Sequence, residues 1–151
     1  MKRRYIKWIL VFIWAIVIFI FSSQNGEISS QNNRFIIELF KKIGIDINTL
    51  VSVNADFIVR KMAHFTEYFI FYLLLFNAFT DDFKFNKSLL NSIIITFIYA
   101  VSDEFHQSFV PGRSPTYKDV LIDTGGGLVC MIFIYLWNLI RKIAVSKNNI
   151  T

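Results

Sequence analysis

With 151 residues the chain has room for one domain; 54% of it is hydrophobic and 17% aromatic, the mean hydropathy is +0.48, and only 18% is charged. That balance argues against an ordinary soluble domain. The formal net charge of +5 would suit nucleic acid, but the basic residues flank apolar runs and form no stripe, a pattern that excludes a nucleic-acid binder and marks membrane orientation.

In chain order, the first element is residues 5–21, YIKWILVFIWAIVIFIF, long enough as a helix to cross about 25 Å. Lys7 alone interrupts it and can snorkel to the headgroups. Lys2, Arg3 and Arg4 look like the n-region of a signal peptide, but Ser22-Ser23-Gln24-Asn25 lacks an A-x-A-like cleavage pattern, so a retained helix is expected. In the following loop, Asn33–Ile43 sets Phe35, Ile36, Leu39, Phe40 and Ile43 at helical spacing against Arg34, Glu38, Lys41 and Lys42. Two readings stay open for it: an amphipathic helix on the membrane surface, or a helix packed over the bundle, with Gly44 as its stop.

The second span is residues 58–79; its half from Tyr68 to Phe76 is uninterrupted apolar, and its first half carries Arg60, Lys61, His64 and Glu67. The third, 88–103, runs from LLNSIIITFIYAV into Ser102-Asp103-Glu104. The fourth, 120–140, has Asp119 and Asp123 at its start and Arg141-Lys142 at its end. Cys130, the single cysteine, reads as a small buried hydrophobe within it. The predicted fold is therefore all-α: an integral membrane four-helix bundle forming one domain over 1–151, with the amphipathic helix of the first extracytoplasmic loop either interfacial or packed on the bundle.

Positive charge orients it. The N-terminal tail, Lys84 and Lys87 after span two, and Arg141, Lys142 and Lys147 at the C-terminal end fall on one side, which predicts cytoplasmic termini in a cell membrane, with Trp8 and Trp137 near that interface. Alternation of four spans also brings the end of span one, the start of two, the end of three and the start of four to one face, and both histidines lie there. Arg60 and His64 are four residues apart and His64 and Glu67 three apart, so they share a helix face, as do Asp119 and Asp123. Asp103 and His106 share one if the third helix continues. Ionisable groups at membrane depth are costly and usually face a partner or a watery cavity.

Residues 60–68, RKMAHFTEY, look like the R-K-x-A-H-F-x-E-Y signature of the VanZ-like membrane protein family. Residues 102–107, SDEFHQ, followed by 109–113, FVPGR, resemble its S-D-E-x-H-Q-x-F-V-P-G-R block. Asp119-Val120 and Asp123 with Gly126 are similar to its D-V-x-x-D-x-x-G element, and Phe21-Ser22-Ser23-Gln24 to the segment after its first helix. The matches keep family order over nearly the whole chain. The resemblance implies a bacterial four-span protein of the cell envelope, in a family named for a member that lowers susceptibility to the glycopeptide teicoplanin. It makes the motif residues candidates without fixing a reaction.

Two function classes follow. As an enzyme at the outer membrane face, the chain would use His64, Glu67, Asp103, Glu104, His106 and Asp123 as catalytic candidates for acid–base chemistry. Arg60, Lys61, Gln107, Arg113 and Asp119 would bind an anionic or lipid-linked envelope substrate, Arg113 through bidentate hydrogen bonds. No serine stands out as a nucleophile. As a non-catalytic binding or transport protein, the same cluster would hold a lipid, an envelope precursor or an antibiotic. No metal site is predicted: His64, Glu67, Asp103, His106 and Asp123 could all ligate, but HxxE and DExH are short patterns that recur by chance. The cofactor stays unknown, and the bilayer is the one partner the composition requires. The competing structural account pairs Arg60 with Glu67 or Asp123 and lets His106 cap the third span. It reads Pro111-Gly112 as a tight turn and Gly125-Gly126-Gly127 as a close helix contact.

Overall fold

The computed structural model describes residues 2–46 and 55–148, and among these the chain is five α-helices. They are α1 (Lys2–Ser22), α2 (Gly26–Lys42), α3 (Ala55–Phe79), α4 (Phe85–Gln107) and α5 (Tyr117–Asn148). Four are long and apolar enough to cross a membrane: α1, α3, α4 and, over Tyr117–Ser146, α5. Each begins a few residues before the apolar run read from the sequence, because a helix continues for as long as its backbone bonds are made, whatever the polarity of its side chains. The third helix does continue past Asp103, through Gln107.

Helix α3 is the hub, packed against α1, α2, α4 and α5. Lipid tails are as apolar as leucine, so contact area alone does not hold such helices together; small residues and hydrogen bonds between helices do. Gly126 shows the first device. A Cβ there would lie 2.2 Å from the Phe65 carbonyl oxygen, so α5 meets the α3 backbone at a distance only glycine permits. Ser88, Ser92 and Thr96 are fully buried one turn apart on α4, with Ser92 and Thr96 donating to carbonyls four residues back, so their hydroxyls need no other partner. The second device ties helix to helix: the Trp14 indole donates to the Glu67 carbonyl (2.9 Å), the Tyr99 hydroxyl to that of Ala15 (2.7 Å), and the Tyr72 hydroxyl to that of Leu89 (3.1 Å). Between these ties, Val11, Ile18, Phe71, Leu75 and Ala100 fill one core cluster. Cys130 packs with Tyr72 and Leu89 in another, buried as expected.

Helix α2 starts earlier than its apolar periodicity, because the Asn25 side chain accepts the Ile28 N–H (2.9 Å) and caps it. Ile37 packs with Ala55 and Val59 of α3, while Phe35, Leu39 and Ile43 stay exposed. The helix therefore rests on the bundle by one edge of its apolar face and leaves the remainder uncovered.

Candidate functional site

The two ends of the bundle differ in kind. At one end, Lys7 pairs with Asp81 (2.5 Å) and Arg4 with Asp82 (2.9 Å), tying the start of α1 to the turn after α3. At the other end the marked residues gather.

The turn from α4 to α5 builds that end. The Arg113 N–H donates to the Val110 carbonyl (3.2 Å) across Pro111-Gly112, and Gly112 takes a φ of 74°, a left-handed conformation that glycine accepts without strain. Gly26 then donates its N–H to the Pro111 carbonyl (3.2 Å), seating α2 on the turn. The same turn aims Arg113 back at α1, where its guanidinium donates to the carbonyls of Gln24 (3.0 Å) and Phe21 (3.2 Å). Arg113 thus adds donors at the C-terminal end of α1, where the Phe21 carbonyl also accepts the Gln24 N–H (3.3 Å). Burial first, then the neighbouring Arg60 guanidinium, lower its pKa, against the pull of Asp103, Glu104 and Glu67.

Inside this ring lies an acid-rich core. His64 of α3, Asp103 of α4 and Asp123 of α5 converge so that one potential ligand atom from each lies within 4.8 Å of the others. Asp123 is 1% exposed and Asp103 4%. Asp103 accepts from the Gln107 amide (3.2 Å), one helical turn away. Both Asp123 carboxylate oxygens and His64 Nδ1 are buried without a hydrogen-bond partner, His64 Nδ1 standing 3.6 Å from Asp123 Oδ1. Ser22 and Tyr68 turn their buried hydroxyls towards Asp103 without completing a hydrogen bond.

The remaining candidates form a rim. Lys61 and Asp119 make an ion pair joining α3 to α5, and Glu104 accepts the Thr116 N–H (3.2 Å) just before α5. Arg60 does not pair with Glu67 or Asp123. It donates to Asp56 (3.0 Å) and Ser30 (3.1 Å), and Asn33 donates to the same Asp56 carboxylate (2.8 Å). Asp56 lies one turn before Arg60 on the same helix face, which gives it the shorter reach. This group docks α2 on α3, and the sequence reading missed its members Ser30, Asn33 and Asp56; only the four-residue Asp56–Arg60 spacing could have marked it. His106 stands apart from the buried trio and does not cap its helix. Its Nε2 hydrogen-bonds Ser23 Oγ (3.1 Å), and its ring lies on Phe19 with centroids 4.6 Å apart.

Several hollows adjoin these groups, among them three that border α3. An apolar cavity of about 460 Å³ runs between α1, α2 and α3, with Trp14, Ile36, Phe40, Met62 and Ile70 among its walls. A polar one of about 170 Å³ is lined by Asn33, Arg60, His64, Glu67 and Arg113 among others. Ile36, Ala63 and Glu67 are walls of both, so the two are contiguous. A third, of about 180 Å³, lies on the α5 side of Arg60 and His64, against Lys61, Glu104, Gln107 and Asp119. Every candidate binding residue read from the sequence therefore lines a hollow, and His64 borders both polar ones.

Compared with known proteins, the chain matches the family model described as VanZ/LLP1 over residues 7–139. No curated protein and no solved structure matches it.

Proposed function

The chain belongs to the VanZ/LLP1 family of membrane proteins, and from that premise we propose that it binds a lipid-linked anionic molecule of the cell envelope at the outer membrane face. The observation that carries this reading is the contiguity of the two cavities. An amphiphile needs an apolar slot opening towards lipid and, within a few ångströms, a polar chamber holding positive charge. The apolar cavity supplies the slot, and Arg60 and Arg113 supply the charge. Arg60 Nε is buried without a partner, and the two guanidiniums repel each other. An anionic head between them satisfies both conditions at once.

His64 and Glu67 line the same chamber, so a bound head group meets a base and an acid within one helical turn of each other. That favours a proton-transfer reaction on the bound molecule over passive binding. Transport is less well supported, because the polar chamber lies at one end of the bundle and does not reach the end where Lys7 pairs with Asp81 and Arg4 with Asp82.

The test uses Trp14, which lines the apolar slot. In a variant with Trp8 and Trp137 replaced by Phe, a long-chain prenyl phosphate titrated into nanodiscs should shift Trp14 emission, and neutral phosphatidylcholine should not. Arg113→Gln should weaken that binding at least tenfold. Equal response to both lipids sinks the proposal. Recovery of chemically altered lipid, lost in Glu67→Gln, would establish the enzymatic form; unchanged lipid would leave the binding form. In a glycopeptide-sensitive host, the same reading expects the wild type, and not Arg113→Gln at equal membrane abundance, to reduce teicoplanin susceptibility.

A further inference from the structure

We propose that His64, Asp103 and Asp123 form a binding site for one divalent transition-metal cation of the Zn²⁺ or Mn²⁺ class. Short sequence patterns gave no ground to predict it; the convergence of three helices does. One ligand atom from each residue lies within 4.8 Å of the other two. Tetrahedral ligands about 2.0–2.1 Å from Zn²⁺ stand roughly 3.3 Å from one another, so small side-chain rotations close the set.

The second observation is independent of residue type. Asp123 is 1% exposed, yet neither of its carboxylate oxygens has a hydrogen-bond partner, and His64 Nδ1, turned towards it at 3.6 Å, has none either. Buried polar atoms are almost always satisfied, and an orphaned carboxylate in a bundle interior is strongly unfavourable. Two carboxylates and a neutral imidazole around a divalent cation sum to zero charge. The mixed N,O donor set suits Zn²⁺ or Mn²⁺ better than Ca²⁺ or Mg²⁺, which prefer oxygen alone.

The surroundings agree. The other charged groups facing Asp123 are the acids Glu67, Glu104 and Asp119, while Arg113 faces Asp103, Glu104 and Glu67. The cations facing His64 are Lys61, Arg60 and Arg113; Lys61 is engaged by Asp119 and Arg60 by Asp56. Gln107 holds Asp103 through its amide (3.2 Å), as partners behind metal ligands commonly do. Ser22 and Tyr68 leave buried hydroxyls beside Asp103. Because His64 also borders both polar hollows, a cation here would be open to the head-group chamber from one side. The site stands without the proposed lipid.

The experiment is metal content, with no lipid and no activity read. The full chain, purified in detergent without a polyhistidine tag, is stripped with chelator, equilibrated with Zn²⁺ or Mn²⁺, desalted and analysed by mass spectrometry of the elements. We expect about one cation per chain in the wild type, and less than a tenth of that in Asp123→Asn and His64→Gln. His106→Ala should keep the cation, because that imidazole is engaged by Ser23, and Cys130→Ser should keep it because the thiol lies outside the site. Co²⁺ in the wild type should show a ligand-field absorption that His64→Gln removes, which holds the test open if Asp123→Asn does not purify. A wild type that retains neither metal overturns the proposal, since protons then neutralise the carboxylates. Equal retention by wild type and His64→Gln overturns it as well.

Discussion

Lys61 and Asp119 show what a motif residue does before any ligand arrives. Their side chains are 20% and 14% exposed, so solvent screens them little, and their pair joins α3 to α5 beside the acid core. Removing one partner strands the other in a half-dry place. Lys61→Ala and Asp119→Ala should each lower the thermal unfolding midpoint in detergent, and the double variant should lose less than the sum. A coupling of roughly 0.5–3 kcal/mol is the range for contacting charges; additive losses would show the pair to be incidental. Lys7–Asp81 and Arg4–Asp82, at the other end, are a milder case. Arg4 is 56% exposed, and such surface pairs contribute little. The residue scale also separates the histidines. The sequence treats them as equivalent, both in motifs and both at one face. Their neighbours differ: His64 has an unpartnered nitrogen in the buried core, whereas His106 is held by Ser23 and Phe19 of α1 and its rim.

Among the helices, α3 and α5 carry the site, and the distance between them is set by Gly126. Its missing Cβ lets the Phe65 carbonyl approach, which brings Asp123, one turn earlier on α5, up to His64 on α3. Gly126→Ala must push the helices apart or distort them. Overpacking of this kind costs typically about 1–3 kcal/mol. The midpoint of unfolding in detergent should fall accordingly, and a cysteine pair bridging α3 and α5 at the site end should cross-link more slowly. Unchanged stability and cross-linking would mean that the helix contact is looser than described. The triplet 125–127 was legible in the sequence as a packing device, and Pro111-Gly112 as a turn. Their consequence for His64 and Asp123 was not, because a sequence carries helical spacing within one element and nothing about the rotation of one helix against the next. Helix α2 makes the same point. Its apolar periodicity foretold its existence, but Ile37 being packed on Val59 while Phe35 stays bare depends on how α3 lies beneath it.

The molecule is polarised along its helices, with exposed or ordinary ion pairs at one end and the polar cavities, the acid core and both histidines at the other. We infer from the distribution of Lys and Arg that the site end faces outward and the termini inward. Cysteines placed at Ser23 and Ser114, both exposed, in a Cys130→Ser background should react with an impermeant maleimide on intact cells. Labelling only after lysis would reverse the orientation and move the proposed ligand to the inner leaflet. An outward site agrees with a long apolar first helix whose first turn carries Lys2, Arg3 and Arg4. The amphipathic α2 then lies between two spans at the outer interface, with Phe35, Leu39 and Ile43 turned from the bundle.

The membrane class, the four spans, the family and the end of the bundle at which the marked residues meet were all legible in the order of residues. Those follow from hydropathy, from the alternation that crossing a bilayer imposes, and from motif order, all of which are local or additive along the chain. Only packing shows that Arg60 serves Asp56, that Arg113 donates to the end of α1, and that an apolar cavity adjoins a polar one lined by Arg60 and Arg113. It also shows that His64, Asp103 and Asp123, taken from three helices, converge on one buried point. Such facts depend on helix rotation and ångström-scale approach, which are settled by packing between residues far apart in the chain.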